Sequence, residues 1–291
     1  RIDTSAANLF QGYVQQHNLY QQQAKSSSSS QPFFRRFGWL YGRFDEKTQS
    51  TFVDAIYEPP QDWGKDSSSS STLPTFPVDK LESGISRVTE LLGLKRVGVV
   101  FSHGPRAGNQ PLTASEVATI ANWQVTYGPL FIVLTLSQKT SASKDVSFEA
   151  FQVSEQAMDL VRMGRIEGTT EEQKLKLKSP VVVEMAQSTV VDPSWFVVNV
   201  PVVALAAGGP KTVFKSCSFT PANRDTSIID PVEALRGKLT PEKISDFHLL
   251  VFVANCELFS PSTDLPVFVD VAMGRLGNES LEGYKLIIGE F

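Results

Sequence analysis

The sequence predicts an α/β fold in which a mixed sheet flanked by helices is followed by a smaller α+β unit, and three observations predict it. Apolar runs of strand length alternate with stripes of helical period between residues 37 and 164. A charged and polar stretch at 162–178, with Gly164 and Gly168 inside it, separates that series from a second one. The composition, 41% apolar and 20% charged over 291 residues, is that of a globular chain with one or two cores. The expected organisation is an N-terminal helix and serine linker at 1–31, a first domain at 32–165, a linker at 166–179 and a second domain at 180–291.

The elements follow in order. Ala6, Phe10, Tyr13, Val14, His17 and Tyr20 share one face of a helix over 4–23, with Asp3 or Thr4 available to cap it. Serine tracts at 26–30 and 66–72 have nothing to bury and read as mobile insertions. Strands are expected at 37–44 and 51–58, then a helix over 78–92 that faces inward through Val78, Leu81, Ile85, Val88 and Leu92 and stops at Gly93. A strand at 96–101, a helix from Thr113 and a buried strand at 129–136 come next. A strand at 146–153 then leads into a helix with Ser154 at its cap, ending at Gly164.

The second series opens with strands at 181–185 and 195–204 and a turn-rich stretch around Gly208, Gly209 and Pro210. Thr240 followed by Pro241 announces a long helix that buries Ile244, Phe247, Val251, Ala254 and Leu258, and 284–288 reads as a closing strand. Trp123 and Trp195 are expected in the core.

Several function classes drop out on composition. Twenty-seven basic against 31 acidic residues give a net charge of −4, which offers no broad footprint for a phosphate backbone. Cys217 and Cys256 are far apart, with no CxxC pair and no adjacent His, so neither a zinc module of ordinary spacing nor a disulfide framework is expected. The longest apolar stretch, 195–207, is broken by Asn199 and Pro201 and falls short of the roughly 20 residues of a spanning helix. The expected setting is a soluble, reducing compartment. A first residue of Arg rather than Met reads as a fragment of a longer protein.

The segment with chemical suggestion is GVVFSHGP at 98–105, an apolar strand running into His103, followed by LTASE at 112–116 where a helix starts. Here the sequence resembles the MPN fold, whose zinc isopeptidases carry an HxH pair at a strand end and a Ser-x-x-Asp at the next helix start, with a Glu from an earlier strand as general base. Set on that pattern, the first metal-ligating His falls on Phe101, the second on His103, the Ser on Thr113, the Asp on Glu116, and the base on Arg35. A phenyl ring cannot ligate zinc, and an arginine cannot accept a proton at neutral pH. No catalytic residue, metal ligand or cofactor is therefore expected. Thr113-x-x-Glu116 doubles as a capping box, and His103 as a strand-end residue bonded to backbone. Arg35 and Arg36 belong either to a solvated face or to carboxylate pairs.

Five stretches narrow the resemblance: GWLYG at 38–42, DAIYEPPQ at 54–61, LGLKRVG at 92–98, FEAFQVS at 148–154 and ISDFHLL at 244–250. Together they resemble the nuclear protein localization 4 family. That resemblance implies an inactive MPN domain joined to a family-specific C-terminal domain. It also implies a pairing with ubiquitin fusion degradation protein 1, recruitment of polyubiquitylated clients to the valosin-containing AAA ATPase, and a groove for an unfolded ubiquitin segment, in the cytoplasm and nucleus and at the cytosolic face of the endoplasmic reticulum. The expected contact residues are Tyr57, Pro59, Pro60 and His248, each with a plainer alternative: the proline pair also simply stops a strand, and His248 also serves as a satisfied boundary residue. A zinc isopeptidase with a displaced site built on His103 and Glu116, and an architectural MPN subunit, are the competing functions.

Overall fold

A computed structural model describes residues 1–23, 33–63, 73–138, 146–167, 173–183, 185–205, 212–224 and 230–289. Both serine tracts and the Gly208 to Pro210 turn lie outside the described residues. The chain runs β1 (Ile2–Asp3), α1 (Thr4–Gln23), β2 (Phe37–Asp45), β3 (Ser50–Tyr57), α2 (Glu82–Leu92), β4 (Lys95–His103), α3 (Ala114–Tyr127), β5 (Ile132–Gln138), β6 (Val146–Val153) and α4 (Glu155–Arg162). It continues through β7 (Leu175–Val183), β8 (Ala186–Val191), β9 (Val197–Val200), β10 (Ala204–Leu205), α5 (Pro231–Leu235), α6 (Phe247–Asn255), α7 (Asp264–Ala272) and α8 (Glu282–Ile287).

Among the described residues, eight strands form one mixed sheet in the order β10-β1-β3-β2-β4-β5-β6-β9, and β7 pairs with β8 in a separate hairpin. β4 and β5 run parallel, with Phe101 opposite Thr135 and His103 opposite Ser137, while β2 lies antiparallel to both β3 and β4. Register shifts at Leu40 to Gly42 mark a bulge in β2. Gly42 is obligatory there, since a Cβ would stand 1.8 Å from the Phe52 carbonyl oxygen.

Both faces of this sheet are covered, which is why its central strands read as continuous apolar runs rather than alternating ones. Trp39, Tyr41, Val99 and Phe101 face the helices α2, α3 and α6, whereas Leu40, Val97 and Val100 face Phe10 and Val14 of α1. The Asp3 carboxylate caps α1 by accepting from the Ser5 and Ala6 amides. The sheet thus draws β1 from the N-terminal segment and β9 and β10 from beyond residue 180, crossing the expected boundaries.

Several expectations need correction. Val78 is 91% exposed because α2 begins only at Glu82, after a turn in which Asp79 accepts from the Leu81 amide. Tyr20 is exposed at the far end of α1. Ser154 precedes α4 as expected, but its hydroxyl makes no capping bond. The expected linker holds the start of β7, whose Leu175 and Leu177 are buried. β7 ends before Met185, a fully exposed turn residue with φ 66°. The strand expected at 195–204 is broken at Pro201, and Trp195 sits half-exposed in a single turn of 3₁₀ helix. Thr240 closes only an isolated turn, its carbonyl accepting from the Ile244 amide, and α6 starts at Phe247 with Asp246 as its cap. Of residues 284–288, the first four lie in helix α8 and Ile288 caps it, so the stretch is not a strand.

Candidate functional site

Two regions hold the residues singled out in the sequence. The first is the end of β4. Phe101 points into the helical core at 2% exposure, so its ring contributes about 1.5–3 kcal/mol of burial rather than a ligand. His103, two residues on, is also buried. Its Nδ1 lies 2.7 Å from the Gly104 carbonyl, which can only accept, so Nδ1 carries the proton. Burial, aided by the positive charge of Arg106, pushes His103 down to about 3 and keeps the ring neutral.

Thr113 and Glu116 form the capping box at the start of α3. The Thr113 hydroxyl accepts from the Glu116 amide, and Glu116 Oε2 accepts from the Thr113 amide at 2.9 Å. The same carboxylate is gripped by Arg106, with Nη1 donating to Oε2 at 2.8 Å and Nη2 to Oε1 at 2.6 Å. Both side chains are 3% exposed. Burial pushes the Glu116 carboxyl up, and the Arg106 guanidinium and Thr113 amide pull it back. Arg35, on the general-base position, donates to the Trp63 carbonyl and lies 4.9 Å from the Trp63 ring centre.

This set does not fit a catalytic zinc. Three donors and an open position are required. Phe101 supplies no lone pair, Glu116 is committed to a guanidinium, and Arg106 adds a positive charge beside the remaining imidazole. Among the described residues no group of three His, Cys, Asp or Glu is placed to hold a metal ion. Arg106 was not foreseen. The available signal was an Arg in the loop between His103 and Thr113, which is longer than the enzymes' pattern.

The second region is a groove of about 790 Å³ where the exit of β3 meets α6 and the segment 219–224. Pro60, Asp79, Phe219, Asn223, Arg224, His248 and Phe252 line it. It brings together Pro60 and His248, which are 188 positions apart in the numbering. Tyr57 and Pro59 are buried and are not among its lining residues. The Tyr57 hydroxyl donates to Asp79 Oδ2 at 2.7 Å and accepts from Asn223 Nδ2 at 3.1 Å, and burial raises its pKa. His248 is held neutral by burial, on a helix whose N-terminal amides are capped by Asp246.

Beneath the groove lies a buried charge cluster that sequence reasoning missed. Glu58 accepts from Arg36 Nε at 2.6 Å and from Arg224, whose Nη2 makes the shorter of its contacts. Arg36 also donates to the Asn223 carbonyl at 2.7 Å, and Arg224 donates to the Leu9 carbonyl. Arg224 lies 4.0 Å from the Tyr13 ring centre. One carboxylate therefore ties α1, β2, the end of β3 and the groove-lining turn into a unit. Asn223 holds that turn at φ 60°, a conformation Asn tolerates better than most residues. Arg36 thus belongs to a carboxylate pair.

Among the described residues no helix is long and apolar enough to cross a membrane. A family model described as the NPL4 family matches residues 36–126, the stretch from β2 into α3 that holds Phe101, His103, Arg106 and Glu116. The chain is 34% identical over 99% of its length to the nuclear protein localization protein 4 homolog of Dictyostelium discoideum, spanning 46% of that protein. It is 30% identical over 99% of its length to the NPL4-like protein of Oryza sativa subsp. japonica, spanning 67% of it. Nuclear protein localization protein 4 of Saccharomyces cerevisiae is 24% identical over 85% of this chain, which spans 52% of the yeast protein. With a matching family model, near-complete alignment to these relatives and a mixed sheet of the expected kind, the chain belongs to the NPL4 family.

Proposed function

We propose that this chain is a non-catalytic adaptor of the ubiquitin-dependent unfolding machinery. In this reading it binds polyubiquitin or an unfolded ubiquitin segment. Together with ubiquitin fusion degradation protein 1, it delivers ubiquitylated proteins to the valosin-containing AAA ATPase, in the cytoplasm and nucleus and at the cytosolic face of the endoplasmic reticulum. The observation that carries it is the Arg106 fork on Glu116: the carboxylate at the metal-ligand position is neutralised from within the chain, so the MPN scaffold is left to bind rather than to hydrolyse. The mixed polar and apolar groove between Pro60 and Phe252 supports the binding half of the reading, since clefts where chain segments meet are the usual place for an extended ligand.

The experiment is to incubate the chain with ubiquitin chains and with denatured ubiquitin carrying a photo-crosslinker, with and without added zinc, and to score adducts and free ubiquitin. Adducts mapping to residues 219–224 and α6 with no ubiquitin released are expected. Zinc-dependent release of free ubiquitin would overturn the adaptor reading, and a chain that pairs stably with another MPN protein but forms no ubiquitin adduct would replace it with an architectural one.

A further inference from the structure

The groove at Pro60 and His248 is lined by stretches far apart in the chain, and two of them converge on one buried hydroxyl. Residues 78–81, just before α2, and 219–224 both line it. Neither stretch lies in a strand or a helix, so side-chain contacts are what place them. Asp79 organises the first: its Oδ1 accepts from the Leu81 amide at 2.9 Å and its Oδ2 from the Tyr57 hydroxyl at 2.7 Å. Asn223 organises the second, at φ 60°. Its Nδ2 donates to the same Tyr57 oxygen at 3.1 Å and to the Glu58 carbonyl at 3.0 Å.

Tyr57 itself is firmly mounted. It is the last residue of β3, paired with Trp39 in the sheet, and Pro59 and Pro60 stiffen the chain beyond it. A tyrosine hydroxyl has one proton to give and lone pairs to receive with. Here the proton goes to Asp79 while a lone pair meets Asn223, so a single oxygen links both stretches to the sheet. Tyr57 is 1% exposed and is not among the lining residues, so a segment lying in the groove does not touch it. Any effect of the hydroxyl on binding must pass through the two stretches it holds.

We propose that Tyr57 is a positioning residue of the groove, whose hydroxyl fixes residues 78–81 and 219–224 relative to each other so that an extended segment meets a preformed surface. This role rests on the reading that the groove holds unfolded ubiquitin, and adds what keeps the groove in shape to receive it. A surface ordered beforehand spares the complex the cost of ordering two loops on binding.

The test is Tyr57→Phe in the whole chain, which keeps the ring and removes the oxygen. Binding of fluorescent ubiquitin, kept unfolded by a polar substitution in its core, is followed by anisotropy under conditions where the variant is fully folded. Hydrogen exchange is read in parallel. Capture should weaken about fivefold, the size of one net hydrogen bond. The amides of 78–81 and 219–224 should exchange faster by a larger factor than those of β4 and β5. Val146→Ala, in the core on the other face of the sheet, lowers stability away from the groove and should bind as the wild type does. Asn223→Gly tolerates the φ 60° turn while removing the carboxamide, and combined with Tyr57→Phe it should lose less than the product of the two losses, since both break the same link. Unchanged capture by Tyr57→Phe, unchanged local exchange, an equal loss in Val146→Ala, or fully multiplicative losses would each overturn the role of Tyr57 while leaving the groove reading in place. A wild-type chain that captures no unfolded ubiquitin would overturn that reading, and the role of Tyr57 with it.

Discussion

Replacing Glu58 by Gln removes the carboxylate that Arg36 and Arg224 share while nearly preserving its volume. Glu58 is 2% exposed, and Arg36 and Arg224 are 10% and 9% exposed, so solvent can do little to absorb the two guanidiniums left behind. Breaking a buried ion pair by removing one partner costs about 3–5 kcal/mol. Two cations lose their counter-ion here, which pushes toward the upper end. Arg36 keeps the Asn223 carbonyl, and Arg224 keeps the Leu9 carbonyl and the Tyr13 ring, which pull back. About 4 kcal/mol is the working figure, a large share of the roughly 5–15 kcal/mol that holds a domain folded. In urea, with a slope of about 3 kcal/mol per molar, the midpoint should fall by about 1.3 M, read from tryptophan fluorescence. A second arm adds Arg224→Met to the variant. Removing one orphaned cation should return part of the loss, giving a positive coupling in the double-mutant cycle. A midpoint shift below about 0.3 M in Glu58→Gln would show that the cluster does not hold these elements together.

Other outcomes follow from the same geometry. Asp246→Ala removes the α6 cap and the acceptor of the Ser218 and Phe219 amides, so a loss of about 2–3 kcal/mol in urea unfolding is expected, and a loss under about 0.5 would refute the role. His103 has a folded pKa of about 3 against an ordinary 6.5, so the unfolded chain takes the proton first. Its contribution is complete above about pH 6.5 and is lost as pH falls toward 3, about 2 kcal/mol between pH 7 and pH 5. Burial lowers His248 in the same direction, so the His103 share is the difference between wild type and His103→Gln. Equal pH slopes in the two proteins would refute it. Val78→Asp, at an exposed position on the groove rim, should leave stability within about 0.5 kcal/mol yet weaken capture of denatured ubiquitin about fivefold, and unchanged capture would move the binding surface elsewhere.

Local signals in the sequence were reliable where the energy that decides the structure is itself local. Thr113 and Glu116 sit three residues apart and satisfy each other's amides, so their spacing alone revealed the capping box. Gly93 likewise adopts the left-handed conformation, φ 66°, that a helix stop demands. The strands from β2 to β6 were legible as apolar runs. Thr240-Pro241 and Asp246 are both good helix starts by composition, and what selects Asp246 is its second oxygen, which accepts from amides 27 and 28 positions earlier. The pattern at 284–288 misled because within this stretch Tyr284 and Ile288, four positions apart, turn toward the core while Leu286 and Ile287 stay exposed, a helical spacing that reads as an apolar run. Glu58 and Arg224 stand 166 positions apart, a pairing no window of sequence contains. Pro60 and His248 were singled out separately, and only the fold places them in one wall.

Under the proposed adaptor reading, the end of β4 keeps a buried carboxylate with neither a metal ion nor an unpaired charge. Removing a divalent cation from a buried carboxylate would leave a charge that costs several kcal/mol to keep in low dielectric. In this chain the longer loop after His103 carries Arg106, whose planar fork meets both oxygens of Glu116 while that carboxylate still caps α3. The cation is thereby supplied covalently, and it cannot exchange. Phe101, two residues before His103, fills core volume and offers no donor atom. A His at position 101 would not by itself make a zinc site here, because the Arg106 guanidinium would still occupy the Glu116 carboxylate and repel an incoming metal ion.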